Sequence, residues 1–167
     1  MMQRAVLVMG TAGSGKSTLG ELLADGLGAT FLEGDSFHPK ENVDHMAKGL
    51  PLTDEMRWPW LDRLGSAAAE VRETGPVVLA CSALKRVYRD RLRDNLPGLV
   101  TVYPEAPKEL VAERMGNRKG HFMPLSLLDS QFATLEVPGG DEDVLVVSAR
   151  QTPPEMADEV LARLLGS

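Results

Sequence analysis

Residues Gly10-Thr11-Ala12-Gly13-Ser14-Gly15-Lys16-Ser17 follow the apolar run Ala5–Met9 and open the amphipathic stretch Lys16–Leu27. No other feature restricts the fold as tightly. The pattern G-x-x-x-x-G-K-[ST], set between a strand and a helix, is that of a loop that cradles phosphates. Its glycines let the backbone wrap closely and turn N–H groups toward anionic oxygens. The helix that follows adds its dipole and its unpaired first-turn amides. On this reading Gly10, Thr11, Ala12, Gly13, Ser14, Gly15, Lys16, Ser17 and Thr18 hold the phosphates of ATP. Lys16 reaches the β- and γ-phosphates and Ser17 ligates Mg²⁺.

The remaining pattern extends this strand–helix unit. Short apolar runs at Thr30–Glu33, Val77–Cys81, Leu99–Tyr103 and Val144–Val147 read as strands of a parallel sheet covered on both faces. Helices are expected at Pro39–Lys48, Asp54–Glu73, Leu84–Asn95, Pro107–Asn117, Leu125–Leu135 and Pro154–Leu165, with Pro59 breaking or kinking the second of these. This alternation predicts an α/β, doubly wound fold. With 167 residues and no interdomain linker in the sequence, one domain is expected over residues 1–167.

Bulk properties remove several function classes. A net charge of −6 argues against coating nucleic acid, so an anion site has to be a local cluster. No apolar run approaches the roughly 20 residues that cross a bilayer. The single cysteine, Cys81, has no partner for an internal disulfide and fits a reducing, cytoplasmic setting. The sequence has no Asn-Lys-x-Asp segment for reading guanine, and Val77–Ala80 and Val144–Val147 run into Cys81-Ser82 and Ser148-Ala149 rather than an acidic pair. A compact enzyme that phosphorylates a small molecule is the class left in front.

Candidate acceptor-side residues follow the strands, because ligands of open α/β sheets sit beyond the carboxyl ends. Asp35, just past the second strand, can orient an attacking hydroxyl or take its proton, or else cap the next helix. Glu33 and His38 flank it. Arg57 offers a planar fork for a carboxylate or phosphate, beside Trp58 and Trp60, which read as packing residues. With Ser82 as N-cap, Lys85 and Arg89 fall four apart on one helical face, at an end where cations oppose the dipole, which suggests a bound anion. Arg114, Arg118 and His121 lie on or near a glycine-bracketed segment at about 115–125 that reads as a mobile lid.

The phosphate loop is joined by ordered blocks: Glu33-Gly34-Asp35-Ser36-Phe37-His38-Pro39, Lys48 to Asp54, Arg57-Trp58-Pro59-Trp60-Leu61, Cys81 to Asp90, Arg118 to Met123 and Ser130 to Glu136. Together they resemble the small gluconokinases. That resemblance implies a fold like that of shikimate and nucleoside monophosphate kinases, with a five-stranded parallel core and a lid. It implies transfer of phosphate from ATP to D-gluconate, giving 6-phospho-D-gluconate for the pentose phosphate or Entner–Doudoroff route. Lys16, Asp35 and Arg118 become catalytic candidates, Arg114 a nucleotide contact, and His38, Arg57, Lys85, Arg89 and His121 acceptor contacts. A homodimer is implied, without nucleic-acid or membrane partners. Two departures from the family pattern stand out: Glu33 replaces an expected Asp, and Met56 replaces an acid before Arg57. Other acceptors, such as shikimate or a nucleoside monophosphate, stay open on the residues alone, as does a regulatory ATP-binding module without turnover.

Overall fold

In the computed structural model, residues 3–116 and 125–166 are described. Five strands form one parallel sheet: β1 (Ala5–Val8), β2 (Thr30–Glu33), β3 (Val77–Ala80), β4 (Val100–Glu105) and β5 (Val144–Ser148). Their order is β2-β3-β1-β4-β5, which puts β1 at the centre. Val8 pairs in register with Ala80 on one side and with Val102 on the other. The loop leaving β1 therefore emerges between two strand ends.

Alternation along β1 divides the interior in two. Ala5, Leu7 and Met9 face a core with Trp60, Leu61 and Leu64 of α3 (Asp54–Arg72) and Tyr88 and Leu92 of α4 (Arg86–Asn95). Val6 and Val8 face a second core with Leu19 and Leu23 of α1 (Lys16–Leu27). Val111 of α5 (Lys108–Gly116), Leu128 of α6 (Leu125–Thr134) and Val160 of α7 (Pro153–Leu165) complete it. Val6, Leu7 and Val8 of β1 are wholly buried, as the apolar run predicts for a central strand. The doubly wound α/β expectation holds.

Two expectations change. Pro59 lies inside α3, which runs unbroken to Arg72 from an N-cap at Thr53, whose hydroxyl accepts from the Met56 amide. The carbonyl that loses its partner to Pro59 belongs to Glu55, and both residues are exposed, so water can serve it. The fourth helix begins at Arg86 and not at Leu84, with Lys85 in extended conformation at its N-cap and Ser82 off the cap. Ala83, at φ 42°, turns the chain before that start. A short helix α2 (Lys40–Ala47) follows a 3₁₀ turn at Gly34–Phe37. The lid expectation falls on residues 117–124, outside the described residues.

Candidate active site

The loop from Gly10 to Ser17 crosses the carboxyl end of β1. Gly10, Gly13 and Gly15 have φ of 143°, 77° and 86°, a region L side chains avoid. Gly15 occupies the N-cap of α1 in left-handed conformation, so the chain turns from loop to helix within one residue. Ser14 closes the loop on itself, its Oγ donating to the Thr11 carbonyl at 2.8 Å and its amide to the same oxygen at 3.3 Å. Among the described residues the amides of Gly13, Gly15, Lys16 and Ser17 find no acceptor, which leaves four N–H donors open where the loop enters α1. The Lys16 ammonium lies 3.4 Å from the Thr11 carbonyl.

Beside the loop, the Ser17 hydroxyl donates to Glu33 Oε2 at 2.5 Å. The longer acid at position 33 thus reaches the residue expected to ligate the metal. Asp35, in the 3₁₀ turn, has a side chain 75% exposed. It does not cap the next helix: Pro39 is the N-cap there and no side chain bonds to it. Gly34 lets this turn close, because a Cβ at that position would come within 2.4 Å of the Ala80 carbonyl. Trp60 then fixes the turn by donating Nε1–H to the Gly34 carbonyl at 2.8 Å.

His38 is stacked on Trp60 with ring centroids 4.0 Å apart. Burial pushes its imidazole down to about 4, Asp35 opposing the shift and Arg57 adding to it. The ring is therefore neutral near pH 7. Asn42, wholly buried, donates Nδ2–H to the Met56 carbonyl at 2.9 Å and lies 3.2 Å from His38 Nδ1 through the same nitrogen. Since that nitrogen only donates, Nδ1 is the acceptor and the ring proton sits on Nε2. Nε2 faces Asp35 Oδ1 at 3.9 Å. Asn42 escaped the sequence reading, although its spacing of four from His38 was available as a signal.

Arg57 uses one nitrogen for support: Nη1 donates to the Leu52 carbonyl at 2.6 Å and to the Tyr88 hydroxyl at 3.0 Å. Tyr88 in turn donates to Asp54 Oδ1 at 2.5 Å. Among the described residues Arg57 Nε and Nη2 donate no hydrogen bond, and the guanidinium carbon lies 4.9 Å from the centre of the Tyr88 ring. Lys85 stands near the same group, 3.8 Å from Asp54 Oδ1.

These parts meet around a cavity of about 360 Å³, lined by Ala12, Lys16, Asp35, His38, Arg57, Trp60, Ser82 and Gln131, with α2 contributing Val43 and Met46. The size suits a small metabolite. Cys81, next in the chain to the cavity-lining Ser82, is fully buried, and burial pushes its thiol up to about 12 and leaves it inert.

Arg89 does not join this group, which corrects the expectation of a ligand contact. It is wholly buried, and all five of its N–H groups are taken. Nε and Nη2 donate to the Glu142 carboxylate at 2.7 and 3.0 Å, Nη1 to the Ala83 and Leu84 carbonyls, and Nη2 also to the Glu136 carbonyl. These bonds tie down the Ala83–Leu84 turn beside the cavity-lining Ser82. The shared face expected for Lys85 and Arg89 fails because Lys85 precedes the helix. Arg114, in the last turn of α5, donates to the Ala149 carbonyl at 2.5 Å. Its helix abuts the phosphate loop, since a Cβ on Gly13 would meet Val111 at 3.0 Å and Met115 at 3.1 Å. Arg118 and His121 lie outside the described residues.

Comparison with known proteins finds relatives over nearly the whole chain. The profile of a family described as "AAA domain" matches residues 6–138. The gluconokinase of Gluconobacter oxydans (strain 621H) is 47% identical over 160 residues, covering 95% of this chain and 89% of that protein. The crystal structure of a gluconokinase from Sinorhizobium meliloti 1021 superposes with a TM-score of 0.89 at 46% identity, over 99% of this chain and 95% of that one. Shikimate kinase from Aquifex aeolicus vf5 shares the fold, with a TM-score of 0.68 at 19% identity over 98% of this chain and 99% of that one. With a phosphate-binding loop on its central strand and this degree of identity to its relatives, the chain belongs to the gluconokinase family.

Proposed function

We propose that the protein transfers the γ-phosphoryl group of ATP to a hydroxyl of D-gluconate, giving 6-phospho-D-gluconate. The observation that carries this reading is one cavity holding Lys16 of the phosphate loop, the Asp35 carboxylate and the Arg57 guanidinium, in a chain 47% identical to a gluconokinase. The loop amides and Lys16 grip the phosphates. Asp35, exposed and outside any helix cap, orients the attacking hydroxyl and takes its proton. The free part of the Arg57 guanidinium suits a carboxylate, which favours a sugar acid over a neutral sugar. Neutral His38 holds the wall beside Asp35 without adding a further cation to Lys16 and Arg57.

The oxygens of Ser17 and Glu33 form a hard donor pair of the kind Mg²⁺ prefers, its shell completed by phosphate oxygens and water. When bound, the ion would neutralise charge on the β- and γ-phosphates. Arg114 belongs to the nucleotide side of this reading and Lys85 to the acceptor side, with Arg118 a catalytic candidate and His121 an acceptor contact. The family resemblance adds a homodimer and a cytoplasmic setting.

Release of ADP, measured across gluconate, other aldonates, shikimate and nucleoside monophosphates, tests the proposal. Gluconate should be the preferred acceptor. Lys16→Ala should lower kcat at least about 10²-fold. Asp35→Asn should lower kcat about 10²- to 10⁴-fold while ATP binding stays within a few-fold of the parent. Background hydrolysis with every acceptor would sink the reading.

A further inference from the structure

We propose that Gln131 binds the acceptor, its carboxamide joining the phosphate loop to the acceptor cavity; this deepens the reading of the site as a sugar-acid kinase. The Ala12 amide donates to Gln131 Oε1 at 2.7 Å across a separation of 119 residues. Which atom of the carboxamide faces the loop is settled by chemistry, because an N–H donor requires the oxygen. The NH₂ group therefore points elsewhere. It finds no acceptor among the described residues, and Gln131 lines the same cavity as Lys16, Asp35 and Arg57. A half-buried NH₂ group at a cavity wall is matched by an acceptor oxygen on a ligand: a hydroxyl or carboxylate of the sugar acid.

The far end of α6 shows why this carboxamide is held in place. The Glu136 amide donates to the Leu84 carbonyl at 2.8 Å, and the Glu136 carboxylate accepts the Arg86 amide at 2.9 Å. Buried Arg89 binds the Glu136 carbonyl at 3.0 Å. With its exit fixed on the wall of the acceptor cavity and Gln131 fixed on the phosphate loop, α6 spans both subsites. Glutamate at this position could still accept from Ala12, but it would lose the donor and place negative charge beside the triphosphate and an anionic acceptor. Glutamine meets both demands.

The test compares the full-length parent with Gln131→Glu and Gln131→Met. Gluconate is titrated at saturating ATP, ATP at saturating gluconate, and thermal unfolding is recorded for each protein. The expected result is a rise of about tenfold or more in the KM for gluconate in both variants. The KM for ATP should stay within about threefold in Gln131→Met and the unfolding temperature should stay near that of the parent. A Gln131→Glu enzyme with the parent's KM for gluconate would reduce the residue to a brace for the loop and overturn the inference alone. So would a Gln131→Met enzyme altered only in its KM for ATP or its stability. If the parent itself turns over no acid acceptor, the functional reading fails first and takes this inference with it.

Discussion

Gly34 shows how one missing methyl group sets the chemistry of the residue that follows it. A Cβ there would stand 2.4 Å from the Ala80 carbonyl, a backbone atom that cannot step aside without disturbing the pairing of β2 with β3. Gly34→Ala should destabilise the fold by about 1–3 kcal/mol in urea titrations and displace Asp35, so kcat falls further than stability alone explains. Unchanged kcat would mean that the 3₁₀ turn tolerates movement. Asp35 itself was legible in the sequence, because a carboxylate just past a strand of a parallel sheet has few other places to lie. The tautomer of His38 was not legible. It depends on Asn42 and on a stack against Trp60, a residue the sequence offered only as packing.

At the scale of elements, the helix starting at Arg86 shows why spacing alone misleads. Lys85 and Arg89 are four apart, and a helix drawn from Leu84 puts them on one face. The structure begins the helix two residues later and turns Arg89 inward, to a carboxylate 53 residues further on. No local pattern announces a partner that distant, and the same holds for Ala12 and Gln131. The strands and the phosphate loop, by contrast, are built from neighbours in the chain, so their positions could be read directly. Arg89→Met leaves buried Glu142 with one of its three arginine hydrogen bonds and should cost about 3–5 kcal/mol, measured by denaturant unfolding. If Arg89 instead met the substrate, the same variant would keep its stability and lose affinity for the acceptor.

For the whole molecule, two buried groups make acid stability fall in steps. His38 protonates near 6.5 when unfolded but only at about 4 when folded, so its contribution is complete above pH 6.5 and is lost as the pH drops from there to 4. For Glu142, burial raises the carboxyl, but hydrogen bonds from Arg89 and Arg93 outweigh it and bring it down to about 2. Its contribution is present above the ordinary carboxyl value of 4.5 and disappears between there and 2. Thermal unfolding followed against pH should show both declines, with His38→Gln removing the upper one. A profile for His38→Gln that still falls through the same upper window would place that decline elsewhere.

The Gly10 amide donates to the Ser82 carbonyl at 3.2 Å, so the nucleotide loop and the acceptor wall are hooked together where β1 and β3 end. The start of the phosphate loop and the Ser82 wall are thereby held one strand spacing apart, roughly 4.8 Å, a length no side chain can alter. Swapping wall residues such as Arg57, Met46 or Gln131 can change which alcohol is welcomed. The backbone spacing between loop and wall stays where it is.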